Sequence, residues 1–171
     1  MPDMKGLRAP ITVLASGLLV SVSFLMNGGR TEWYMLKLLY RLFGDLVLSE
    51  SGFLFAGMIL YFLLWFYLSA TIYLLLRAFK NQTEFYGTLN SVSEGFFLPQ
   101  LLVFPFGLFS NYYIHIVGII VFGLLLPLSL TPFTIKKASN ADFYRRALSF
   151  MLSIYLLLLF WTNVFEPLGV I

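Results

Sequence analysis

Glu94, Gln100 and His115 are the side chains in this sequence whose type and apolar surroundings could move a proton, hold an ion or line a polar path. Glu94 stands in Asn90-Ser91-Val92-Ser93-Glu94-Gly95, at the start of an apolar run. A carboxylate inside a bilayer costs several kcal/mol unless it is paired or hydrated, so it is read as functional by default. The same carboxylate also suits a helix start, where exposed N–H groups and the helix dipole stabilise an anion. Ser91 with Glu94 matches the S-x-x-E capping box. We take the capping role first and keep the intramembrane carboxylate as its alternative.

Pro99-Gln100 and Pro105 follow in the same run. Prolines remove backbone donors and free carbonyls, so this segment is expected to kink or break. Broken membrane helices line substrate and ion sites in transporters. They also occur as structural kinks satisfied by neighbouring helices. No second charge shares the depth of Gln100, which favours the structural kink. His115 is the only histidine. Proton relays use such residues, but without a carboxylate partner it reads as a hydrogen-bonding residue near the headgroups. Nor does a second His or nearby Asp/Glu make it a metal ligand. Lys37, Arg41 and Asp45 recur every fourth residue between Thr31 and Leu48 and form one polar stripe on a helix. Such a helix suits the membrane interface, and Arg41 with Asp45 can pair at i,i+4. We read it as a connector lying on the membrane surface.

The elements that must position these residues are apolar to an unusual degree. Of 171 residues, 60% are hydrophobic and 11% charged, where a soluble domain carries about 25% charged residues. A water-soluble fold of this length leaves roughly a third of its unfolded surface exposed. With 19 Phe, 10 Tyr and 3 Trp, much of that surface would be aromatic, so a bilayer must hide it. The fold class expected is all-α, a polytopic membrane bundle in one domain, residues 1–171. There is no cysteine, which excludes disulfides, thiol catalysis and Cys-ligated metals. A nucleic-acid partner is excluded by the lack of any basic run beyond two residues.

A crossing helix needs about 20 apolar residues. Five candidates result: residues 10–26, 51–79, 92–109, 112–132 and 147–164, with the interfacial helix at 31–48. The first could pass for a signal peptide, but Asn27-Gly28-Gly29-Arg30 replaces a small-residue cleavage site, so it reads as a retained span. With the N-terminus cytoplasmic, Lys5, Arg8, Arg77, Lys80, Lys136, Lys137, Arg145 and Arg146 all face the cytoplasm. Only Arg30, Lys37 and Arg41 face outward, as the positive-inside bias requires. The C-terminus is then external. Trp33, Tyr34, Tyr112, Tyr113 and Trp161 fall near outer ends, and Tyr86 and Tyr144 near inner ones, where aromatic rings anchor at the headgroups. Gly118 and Gly123, with Gly52, Ala56 and Gly57, offer sites of close helix approach.

Residues 70–161 also carry a recognisable order of motifs. A span ends in the basic turn Leu76-Arg77-Ala78-Phe79-Lys80, followed by Thr83-Glu84-Phe85-Tyr86-Gly87-Thr88-Leu89. The broken stretch Glu94-Gly95-Phe96-Phe97-Leu98-Pro99-Gln100 comes next, and the last two spans flank a small basic loop. In these features about half the chain resembles the Yip1 family of five-span membrane proteins. It departs from that family in Asn81-Gln82-Thr83, where a glycine-rich turn is usual, and in lacking a long hydrophilic region before the first span. The resemblance implies a membrane adaptor role. Eukaryotic members act in trafficking through contact with small GTPases.

No Walker loop, G-x-S-x-G, H-E-x-x-H or paired carboxylates occur. The function expected is therefore non-enzymatic and without cofactors: an accessory or scaffold subunit of a transport or trafficking assembly. Its partners would be membrane lipids and other membrane proteins or further copies of itself. Short loops favour a bacterial inner membrane. The alternative is a small transporter or lipid-handling protein using the broken third span. A third reading is an immunity-type protein that intercepts a pore-forming toxin.

Overall fold

The computed structural model describes residues 5–27, 30–109 and 111–165, of which 90% are helical and none lies in a strand. Readings that rest on the side chains of Lys5, Arg30, Trp33, Tyr34 and Trp161 lie outside the described side chains. The helices are α1 (Lys5–Asn27), α2 (Arg30–Phe43), α3 (Glu50–Ala78), α4 (Phe85–Val92), α5 (Phe104–Gly107), α6 (Tyr112–Gly118), α7 (Leu126–Thr134) and α8 (Phe143–Phe165). Among the described residues four helices are long and apolar enough to cross a membrane: Arg8–Asn27, Glu50–Ala78, Tyr112–Lys137 and Phe143–Phe160. The protein is in that respect an integral membrane protein in its build.

Local chemistry sets the helix ends. Ser49 is extended and its hydroxyl accepts the Gly52 N–H at 3.1 Å, which starts α3. Asn111 does the same for α6, accepting the Tyr113 N–H at 2.9 Å. At the end of α3 the Asn81 N–H reaches back to the Leu76 carbonyl at 3.1 Å, the 6→1 bond of a Schellman turn. The left-handed position of that turn is Lys80, at φ 60°. Glycine takes such a backbone freely, whereas a side chain there costs roughly 1–2 kcal/mol.

The most extensive helix pair is α1 on α3. A Cβ on Gly57 would fall on the Ser21 hydroxyl, and one on Gly17 would meet the Tyr61 Cβ at 2.9 Å. Small residues are what allow two membrane helices to approach this closely. One apolar core joins Val13 of α1, Leu68 and Ile72 of α3, Phe97, Ile135 and Phe150 of α8. A second lies under α2, where Leu39 packs with Phe53 and Ala56. Thus α2 turns Leu36, Leu39 and Phe43 inward and leaves Lys37 exposed. It gives way at Gly44 (φ 63°) to a 3₁₀ turn, Gly44–Leu48. The i,i+4 register needed for an Arg41–Asp45 pair ends with it. Asp45 instead accepts the Tyr40 hydroxyl at 3.2 Å.

Residues 85–107 form one helical run of changing winding. After α4 comes a π turn, Ser93–Phe97, then a 3₁₀ stretch, Leu98–Val103, and then α5. A second π turn, Ile119–Leu125, stands ahead of Pro127 just as the first stands ahead of Pro99. Proline lacks the N–H that the preceding turn would use, so the winding changes around it. The run begins at Phe85, seven residues before the start expected from hydropathy. Asn90, Ser91, Ser93, Glu94 and Gln100 keep it from counting among the long apolar helices.

Candidate functional site

The ends of the bundle are chemically unlike. Arg8 of α1 lines a cavity of about 270 Å³ with Thr12, Asn90, Ser93, Glu94 and Leu98. The loops after α3 and α7 meet at the same end: Thr83 and Ser139 form an antiparallel bridge, and the Glu84 N–H donates to the Ala138 carbonyl at 3.2 Å. Arg145 at the start of α8 reaches the Asn81 side-chain oxygen at 3.4 Å. The structure therefore brings Arg8, Arg77, Lys80, Lys136, Lys137 and Arg145 to one end. At the other end the Asn27 side chain donates to the Phe109 carbonyl at 2.8 Å. Residues 85–107 consequently run alongside α1 in the same direction.

Glu94 sits inside the π turn, not at a helix start. Ser91 lies within α4, whose N-cap residue is Glu84, so the expected capping box does not form. The helix starts earlier because Phe85-Tyr86-Gly87-Thr88 already packs against α3 and the 135–138 turn. Glu94 instead pairs with Lys137, Nζ to Oε2 at 2.5 Å, with the carboxylate side chain 28% exposed. The carboxylate is therefore compensated at the edge of the bundle. Lys137 is 69% exposed, and partly solvated pairs are worth under about 1 kcal/mol. Lys137→Ala is expected to lower unfolding stability in detergent by less than about 1 kcal/mol. High salt should narrow the gap to the parent; a gap that survives salt would mean a buried, unscreened pair.

The break around Pro99 is closed by hydroxyls and an indole from neighbouring helices. Ser16 of α1 donates its hydroxyl toward the Phe97 and Thr12 carbonyls, 2.8 Å from each. Thr134 of α7 lies 2.7 Å from the Ser91 carbonyl, and the Trp65 indole N–H donates to the Leu89 carbonyl at 2.9 Å. These three carbonyls lie in and just before the break, and each receives a donor from another helix. Backbone contact reinforces the closure. A Cβ on Gly95 would meet the Thr134 hydroxyl and, at 2.6 Å, the Thr131 Cα. On Gly107 it would meet Ser23 at 2.5 Å. Pro99 and Gln100 are buried in this packed region, while Pro105 is exposed.

His115 belongs to the opposite end and faces inward. It is fully buried, with Nε2 3.3 Å from the Ser23 hydroxyl and the Phe24 ring edge-on at 5.3 Å. The ring therefore points into the bundle, because the α6 face carrying His115 packs on α1. Ser23 is seven residues from Ser16 on α1, and Ser16 bonds Phe97, three residues past Glu94, so His115 and Glu94 lie about 15 Å apart along the axis. They do not form one site. No cluster of three metal-ligating side chains occurs among the described residues. On α2 Lys37 is exposed and Arg41 half-buried.

Two features escape the sequence reading. Arg146, expected as a loop charge, is 6% exposed; its Nε donates to the Asp142 carbonyl at 3.2 Å, and Nη1 has no partner among the described residues. The spacing of Arg146 to Phe150, one helical turn toward the core, was the available signal. The second is a recess of about 770 Å³ at the basic end, between the 77–84 and 136–140 segments. No known protein family, curated protein or solved structure matches this chain.

Proposed function

We propose that the chain crosses a membrane five times, with α2 in the outer interface, and acts as a non-enzymatic accessory or scaffold subunit. In this reading residues 85–107 are the third crossing. Twenty-three helical residues span about 34 Å, enough for a hydrocarbon core of about 30 Å. The basic end faces the cytoplasm by the positive-inside bias, which leaves the C-terminus outside, in a bacterial inner membrane. The Yip1-like reading of residues 70–161 rests on their motifs and fits the same order of spans.

The observation that carries the functional reading is the sealing of the broken third span. A transport path needs backbone and side-chain groups turned to a cavity. Here the carbonyls of Leu89, Ser91 and Phe97, in and just before the break, each receive a donor from another helix. What the fold offers to other molecules is therefore its outer surface: lipid-exposed faces of α3, α6 and α8 and the loops of the basic end. Partners are other membrane proteins or further copies of the chain. Extraction of the tagged protein in native polymer discs at native levels tests this. A particle heavier than one 19.6 kDa chain with its lipid belt, of constant stoichiometry, is expected. A strict monomer without a reproducible protein companion would contradict it.

A further inference from the structure

We propose that the recess at the basic end binds a phosphate-bearing anion, with the headgroup of an anionic lipid as its natural source. Arg77, Lys80, Lys136 and Lys137 line the recess and Glu84 is its one carboxylate. Lys137 is engaged by Glu94. Among the described residues no carboxylate lies within 4.0 Å of the charged groups of Arg77, Lys80 or Lys136. Three cations thus line the cavity, Arg77 also donating to the Tyr73 hydroxyl at 3.2 Å. Beside Ala138, the rest of the lining is the hydrogen-bonding side chains of Asn81, Gln82, Thr83, Ser139 and Asn140. A volume of about 770 Å³ admits a glycerophosphate headgroup with room for its solvent.

Cations at helix C-terminal ends offset the helix dipole, and that alone accounts for one basic residue in each last turn. It does not account for Lys80. This lysine occupies the left-handed position of the turn after α3, where glycine would be free of strain. Strain of this kind is kept where the side chain is needed. The recess floor is also fixed: the Thr83 hydroxyl donates to the Ala138 carbonyl at 3.1 Å and the Gln82 N–H to the Asn140 side chain at 3.1 Å. The flanking geometry points to a lipid. Leu74, one turn before Arg77, is 62% exposed, and Phe133, one turn before Lys137, is 61% exposed. An acyl chain can lie along those faces while its phosphate enters the recess.

The claim rests on the placement of the basic end at a membrane boundary only for the lipid source, not for the phosphate chemistry. The test uses the full chain in phosphatidylcholine discs doped with phosphatidylglycerol, read by native mass spectrometry, beside calorimetric titration of the detergent-purified protein with inorganic phosphate. Lys80→Gly relieves the strained turn, so it is expected to fold at least as well as the parent. Each cation near such a surface is worth about fivefold in affinity. Lys80→Gly with Lys136→Gln should therefore lower phosphatidylglycerol retention about 25-fold. Lys37→Gln with Arg41→Gln, equal in charge change but at the other end, should leave it unchanged. Phosphate binding without lipid preference, lost in the same variant, would support the site and assign it to a soluble phosphate. Equal retention by parent, recess variant and control, with no phosphate binding, would overturn it.

Discussion

Gly95→Ala is expected to destabilise the protein by about 1–3 kcal/mol, whereas Gly123→Ala is expected to leave stability unchanged or slightly raised. Both glycines sit in π turns, and the sequence singles out Gly123 rather than Gly95 as a place of close helix approach, an expectation the structure reverses. Their surroundings give the reason. The added methyl at 95 would meet the α7 backbone at Thr131, 2.6 Å from its Cα and 3.1 Å from its N. Backbone cannot rotate away, so α7 or the π turn must move. At 123 the nearest atoms are the Ile119 and Val103 side-chain carbons, both at 3.7 Å, which is ordinary contact. Alanine there gains helix propensity of about 1 kcal/mol over glycine. Thermal unfolding in detergent, followed by size-exclusion chromatography of heated samples, separates the two. Equal midpoints would mean that α7 does not press on the break.

The second large effect comes from the hydroxyls that close the break. Ser16→Ala with Thr134→Val is expected to lower stability by about 2 kcal/mol, close to the sum of the single changes. Membrane hydrogen bonds average about 0.6 kcal/mol with a maximum near 1.7, and a stranded buried carbonyl adds its desolvation cost. Ser16 and Thr134 come from different helices and reach the carbonyl at the end of the π turn, Phe97, and one just before its start, Ser91. They share no partner, so near-additivity is the expected behaviour. Hydrogen exchange adds a local readout: the amides of residues 93–101 should lose protection in the double variant before those of α3. Uniform loss across all helices would mean that these hydroxyls serve general packing.

Most of the helical architecture was legible because an apolar run of membrane length reads the same in sequence and structure. The runs at 10–26, 112–132 and 147–164 each lie within a helical stretch found there, and the run at 51–79 overshoots its helix by one residue, Phe79. The third run was harder for a physical reason. Phe85-Tyr86-Gly87-Thr88-Leu89 is only moderately apolar, and its helix is held by α3 contacts and the Trp65–Leu89 bond. Hydropathy cannot see that. The break near Pro99 was legible, since proline acts on its own backbone. Its closure was not: serine and threonine on apolar helices usually bond their own carbonyls, and nothing in the spelling of Ser16 names Phe97. Glu94 shows the same limit. Its partner Lys137 lies 43 positions away, while the capping motif offered a partner three positions away. The basic residues were read for orientation alone, because positive-inside counting ignores where side chains converge. Their gathering around one recess depends on the Thr83–Ser139 bridge between two loops.

The central claim is that residues 85–107 cross the membrane with their break sealed from water. The chain contains no cysteine, so single-cysteine variants can be labelled without background. The decisive measurement is the labelling of Gln100→Cys by a membrane-impermeant thiol reagent, from each side of oriented vesicles, beside Asn111→Cys and Asn140→Cys. The account predicts that Asn111→Cys labels only from the outer side and Asn140→Cys only from the inner. Gln100→Cys, at a position 4% exposed, should stay unlabelled from both until the protein is unfolded. Rapid labelling of Gln100→Cys in folded protein would show a water-filled path through the third span. Labelling of Asn111→Cys and Asn140→Cys from the same side would show that residues 85–107, whose start is tied to Asn140 through the Gln82 N–H, do not cross.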